Sequence, residues 1–122
     1  MISLKQFSKS LRYALRGLRS VARHEQSFRL QLIAAAAIII LTVVLSLATW
    51  ERILLILMVA AVLVLEVINS IFERISDAMK PRLSPVVKEV KDMMAGAVLI
   101  TAVTSIVVAV MIFWTYIEEL LS

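Results

Sequence analysis

The chain has 122 residues, 61% of them hydrophobic, with a net charge of +4 and no cysteine. Soluble domains average about 45–50% apolar residues, so the excess points to a membrane protein. The lack of thiols excludes disulfide frameworks, thiolate metal sites and cysteine nucleophiles.

Residues 2–28 are expected to form an amphipathic surface helix, clearest over 2–24. Lys5, Lys9, Arg12, Arg16, Arg19 and Arg23 are spaced alternately four and three apart, and Leu4, Phe7, Leu11, Leu15, Leu18 and Ala22 keep the same rhythm on the other side. No acidic residue precedes Glu25. Such a helix suits an anionic leaflet with its apolar face submerged. The basic stretch is too long for a signal peptide.

The first span is expected at 30–50, where Leu30–Thr49 is uncharged and Trp50 sits at an interface. Glu51 and Arg52 are expected to make a minimal turn. The second helix should run over 53–79, longer than a core of about 30 Å requires at about 1.5 Å per residue. Its last turns, carrying Glu73, Arg74 and Asp77, should therefore emerge into the headgroup region. Pro81 and Pro85 break the chain in a basic loop. A third span over 86–117 is uncharged from Met93, with Trp114 and Tyr116 near its far end and Ala95, Gly96 and Ala97 permitting close helix contact.

Charge placement orients these elements. Seven of the thirteen basic residues lie at or before Arg29, five more flank the 80–85 loop, and only Arg52 lies in the other connection. That is the positive-inside pattern, with the N-terminus inside and the C-terminus outside, and it reads as membrane topology and not as a nucleic-acid surface. The fold class is thus all-α and integral to the membrane: a surface helix plus three transmembrane helices in one domain over 1–122. Three helices barely shield polar groups from lipid, so oligomerisation is expected.

Inside the second span lies a polar stripe. At about 100° per residue, Glu66, Asn69, Glu73 and Asp77 fall in one sector. A carboxyl at membrane depth costs about 2.5–3.5 kcal/mol on insertion scales and usually marks a site. Glu66 and Glu73 are separated by about 10 Å along the axis, too far to chelate one ion together. Glu66 is deep, where proton exchange is a natural role, whereas Glu73 is near water and within reach of hydrated Mg²⁺. Glu25, at the junction of surface helix and first span, has the depth to meet Glu73. Lys91 and Asp92 open the third helix at the same level, where a lysine can contact phosphate. Plainer roles compete: Glu66 as a structural hydrogen-bond partner, Asn69 as interhelical glue, and Glu73 or Asp77 paired with Arg74, Lys80 or Lys91. His24 reads as a surface polar residue. No Gly-rich phosphate loop, kinase signature set or nucleophile elbow occurs, which excludes the familiar soluble nucleotide enzymes. A small proton-coupled transporter and a non-enzymatic membrane subunit also fit the stripe.

The run Glu66-Val67-Ile68-Asn69-Ser70-Ile71-Phe72-Glu73, then Asp77, then Lys91-Asp92-Met93-Met94-Ala95-Gly96-Ala97-Val98-Leu99-Ile100, resembles the prokaryotic diacylglycerol kinase family, which includes undecaprenol kinases. Tyr13-Ala14-Leu15-Arg16-Gly17-Leu18-Arg19 and Glu25-Gln26-Ser27-Phe28-Arg29 are similar to it as well. The resemblance implies an ATP-dependent lipid kinase of the bacterial cytoplasmic membrane, homotrimeric, acting on diacylglycerol or a polyprenol. It further implies Glu66 as general base at the lipid hydroxyl and Glu25 and Glu73 as Mg²⁺ ligands at the nucleotide. Tyr13, Lys91 and Asp92 become nucleotide contacts, with Lys5 or Lys9 as a further basic one. Asn69 and Asp77 support the site, while Phe28 and Arg29 line the lipid path. The stretch Lys80-Pro81-Arg82-Leu83-Ser84-Pro85 departs from the family's usual acidic-aromatic-His loop.

Overall fold

The computed structural model describes residues 3–79 and 85–122 as four helices: α1 (Leu4–His24), α2 (Gln26–Val44), α3 (Thr49–Ala78) and α4 (Pro85–Leu121). By length and composition α2, α3 and α4 can each cross a membrane. At about 1.5 Å per residue α3 is about 45 Å long, so it overhangs a hydrocarbon core of about 30 Å.

Ser3 caps α1, its hydroxyl accepting from the Gln6 N–H at 3.4 Å. The basic residues of α1 and its Leu4, Phe7, Leu11, Leu15 and Leu18 are all exposed. The helix expected over 2–28 stops at His24. Glu25 takes an extended conformation, φ −114° and ψ 113°, and Gln26 already belongs to α2. The bend costs little backbone bonding: the Glu25 N–H still donates to Val21 O at 2.8 Å, and its carbonyl accepts from the Arg29 N–H at 3.2 Å. Phe28 and Arg29 thus sit in the first turn of the span.

The first span is also displaced from 30–50 to Gln26–Val44, and residues 45–48 form the connection. The turn expected at Glu51 and Arg52 is instead the first turn of α3. Glu51 Oε1 accepts from the Ala48 N–H at 2.9 Å and caps α3. The Arg52 guanidinium donates back to Thr42 O at 3.2 Å and Leu45 O at 3.4 Å, satisfying carbonyls that α2 leaves open. Two charged residues that read as a loop therefore finish two helices.

Helix α4 begins at Pro85, where a missing N–H costs nothing, and runs past 117 to Leu121. The break expected at Pro81 lies outside the described residues. Helix α3 packs chiefly on α4 and then on α2, and α1 touches both α2 and α3. Leu47, Leu55 and Ile112 form the buried core at the 45–48 end. Tyr116 Oη donates to Glu51 Oε1 there at 2.6 Å, tying α4 to α3. Among the described residues nothing lies within 4 Å of where a Cβ on Gly96 would be, so the close approach expected there is not made between them.

Candidate active site

The polar stripe of α3 faces the α1–α2 elbow. Glu66 is 6% exposed and accepts a hydrogen bond from Ser27 Oγ of α2 at 3.0 Å. One turn on, Ser70 is 2% exposed and donates to Glu25 Oε1 at 3.3 Å. Asn69 Nδ2 approaches Glu73 Oε1 of the next turn at 3.5 Å, the limit of a hydrogen bond. Two helices and the residue between α1 and α2 thus gather Glu25, Ser27, Glu66, Asn69, Ser70 and Glu73. Asp77 is exposed in the last turn of α3.

Glu25 and Glu73 receive their hydrogen bonds from neutral groups, so neither charge is cancelled by them. Their hard oxygens suit Mg²⁺, which takes one or two protein carboxylates and completes its shell with water and phosphate. Among the described residues no cluster of three His, Cys, Asp or Glu side chains forms a complete protein cage.

Arg74 does not neutralise Glu73. Its Nη2 lies 3.4 Å from His24 Nδ1, which is itself 2.8 Å from Ser20 O. The shorter contact assigns the Nδ1 proton to Ser20 O, so the arginine is a second donor set against the ring. His24 is exposed, as the sequence suggests. Arg29 likewise serves the backbone: its Nη1 donates to Ala22 O and Arg23 O, both at 2.9 Å, closing the end of α1. Phe28, 4% exposed, instead walls a cavity of about 620 Å³ between α1, α2 and α3, together with Leu18, Ala22, Leu32, Leu63 and Val67. Arg29 and Phe28 are thus adjacent in sequence but differently employed.

Tyr13 is exposed on α1 with the Arg16 guanidinium 5.6 Å from its ring centroid. Lys91, half-buried, and Asp92, exposed, occupy the second turn of α4, and among the described residues no hydrogen bond joins them to the α3 carboxylates. Sequence reasoning gave no role to Ser27 or Ser70. The available signal was their place beside the carboxylates, Ser27 two residues after Glu25 and Ser70 four after Glu66.

A long α3 carrying a buried carboxylate thus meets a second carboxylate at the α1–α2 elbow. Residues 12–113 match the family described as prokaryotic diacylglycerol kinase, a stretch that includes every site residue from Tyr13 to Asp92. The chain belongs to that family and is a lipid kinase. It is 33% identical over 110 residues to the undecaprenol kinase of Bacillus subtilis, covering 90% of this chain and 89% of that protein. It is 27% identical over 108 residues to the diacylglycerol kinase of Escherichia coli, covering 88% of each.

Proposed function

We propose that this lipid kinase transfers the γ-phosphoryl group of ATP to the hydroxyl of a membrane lipid, diacylglycerol or undecaprenol, at the cytoplasmic face. The observation that carries the reading is the placement of Glu66, buried on α3 and held by Ser27 of α2, with Glu25 drawn to the next turn of the same helix. The lipid chain lies in the membrane along α2 and α3, and its hydroxyl reaches Glu66. Glu66 accepts the hydroxyl proton as the oxygen attacks Pγ, the bond from Pγ to the bridging oxygen breaks, and ADP departs. Glu25 and Glu73 would hold Mg²⁺, which would offset charge on the transferring group. Asn69 steadies Glu73, and Asp77 supports the same end of α3. Lys91, Asp92 and Tyr13 contact the nucleotide, Lys91 by its charge. Phe28 walls the lipid path.

The basic residues of α1 and around 80–85 set these groups on the cytoplasmic side of a bacterial cytoplasmic membrane, with the C-terminus outside. Helix α1 lies on the leaflet with Leu4, Phe7, Leu11 and Leu15 submerged. Only 17%, 22% and 11% of the most apolar stretches of α2, α3 and α4 are buried, so most of that surface meets lipid or further copies. A homotrimer, with neighbouring copies completing each site and meeting at Gly96, fits both this surface and the open space at that glycine.

The test is transfer of labelled phosphate from ATP to diacylglycerol and undecaprenol presented in matched micelles. Transfer to at least one is expected, and transfer to neither would overturn the proposed substrates. Glu66→Gln should abolish turnover while sparing ATP binding. Retained phosphorylation by that variant would remove Glu66 from the role of base.

A further inference from the structure

Hydroxyls inside apolar helices usually bond to a carbonyl of their own helix, three or four residues back. Thr42 does so to Ile39 O at 2.6 Å, Thr101 to Ala97 O at 3.0 Å, Thr104 to Ile100 O at 2.8 Å and Ser105 to Thr101 O at 2.8 Å. Ser27 and Ser70 break this habit. Each sends its hydroxyl across to a carboxylate on the opposing element, Ser27 to Glu66 at 3.0 Å and Ser70 to Glu25 at 3.3 Å.

The two bonds are crossed. Glu66 and Ser70 are one turn apart on a single face of α3, and Glu25 and Ser27 are two residues apart at the start of α2. Each element therefore contributes one carboxylate and the donor for the other's carboxylate. A slide or rotation of α2 against α3 strains both bonds together, because the partners on each side are joined by only about one helical turn or less. The two hydrogen bonds together fix two side chains that otherwise have free rotamers.

We propose that Ser27 and Ser70 are positioning residues of the phosphoryl transfer, a crossed pair of hydroxyl latches that sets where Glu66 and Glu25 stand relative to each other. This rests on the reading of Glu66 as base and Glu25 as metal ligand. Ser27 holds one oxygen of Glu66 and leaves the other for the lipid hydroxyl. Ser70 holds Oε1 of Glu25 and leaves Oε2 for the cation. Because the carboxylates have different tasks, the two serines have separable effects. Loss of Ser27 acts on the chemical step, and loss of Ser70 acts on the Mg²⁺ requirement, where removing the group that orients a metal ligand typically costs about 10–100-fold in affinity.

The experiment compares Ser27→Ala, Ser70→Ala, Ser27→Thr and Glu66→Gln in the full-length protein in lipid micelles, with circular dichroism confirming equal helix content. Ser27→Ala is expected to lower kcat about tenfold with KM for ATP and the Mg²⁺ half-saturation unchanged, and Ser27→Thr to restore kcat. Ser70→Ala is expected to raise the Mg²⁺ half-saturation about tenfold while kcat at saturating Mg²⁺ stays close to that of the parent. Parent-like kinetics in both alanine variants, or the same loss of kcat and Mg²⁺ affinity in each, would overturn the latch. Glu66→Gln separates the two levels. If it is inactive while Ser27→Ala behaves like the parent, the latch alone fails; if it remains active, the underlying assignment of the base fails.

Discussion

Arg29 offers the sharpest test of how α1 serves the site. It belongs by sequence to the stretch expected to line the lipid path, yet its Nη1 donates to the Ala22 and Arg23 carbonyls at 2.9 Å and closes the last turn of α1. Replacing it with Ala removes both bonds. Arg29 is exposed, and water can take over much of the hydrogen bonding to the freed carbonyls, so the net loss is about 1 kcal/mol and not the full value of two charged bonds. That energy tightens the one-residue bend at Glu25, and about 1 kcal/mol corresponds to about a fivefold change in the occupancy of its bent form. Arg29→Ala is therefore expected to raise the Mg²⁺ half-saturation for phosphate transfer about fivefold, with KM for the lipid little changed. Arg29→Lys should recover part of the effect, since an ammonium lacks the planar fork but keeps a charged donor. The assay is a Mg²⁺ titration of labelled phosphate transfer at saturating ATP, run beside a lipid titration. A raised lipid KM with an unmoved Mg²⁺ curve would refute the capping argument and return Arg29 to the lipid path.

Glu73→Gln should raise the Mg²⁺ requirement more than tenfold, since it removes a charged oxygen ligand while keeping shape, and an unchanged titration would exclude Glu73 from the metal site. Leu55→Ala, at a position 2% exposed in the core, should destabilise the helix bundle by about 2–5 kcal/mol, read as a lower unfolding midpoint in detergent. Parent-like stability would mean that the bundle collapses onto the deleted side chain.

Elements carried by periodicity and charge were readable in advance. The basic repeat from Lys5 to Arg23 and the uncharged runs starting at Leu30, Ile53 and Met93 place α1 and three helices long enough to span, because repeated signals average out local irregularity. The ends of those helices were not readable, and the reason is chemical. Glu51 and Arg52 look like any charged pair between two apolar runs. Their role depends on which backbone groups fall within reach, and that follows from the packing of α2 on α3. Residue 25 was the exception: the basic repeat ends at Arg23, and Glu25 was placed at the junction although neither Gly nor Pro marks the bend. In the site, the stripe from Glu66 to Asp77 stood out because carboxylates are costly in an apolar helix. Ser27 and Ser70 did not, because a serine is cheap to bury against its own backbone and only its partner reveals that it does otherwise.

The single residue between α1 and α2 has a consequence for what changes this chain can tolerate. With no slack between two continuous helices, the angular phase of one is slaved to the other. Inserting one residue into the last turn of α1 would advance the rest of that helix by about 100° around its axis and about 1.5 Å along it. The arginines of α1 would then roll toward the hydrocarbon, or the whole of α2 would have to turn and carry Ser27 off Glu66. Side chains along this stretch can be exchanged one at a time, but its length cannot: the 21 residues of α1 are geared to the helix that follows them.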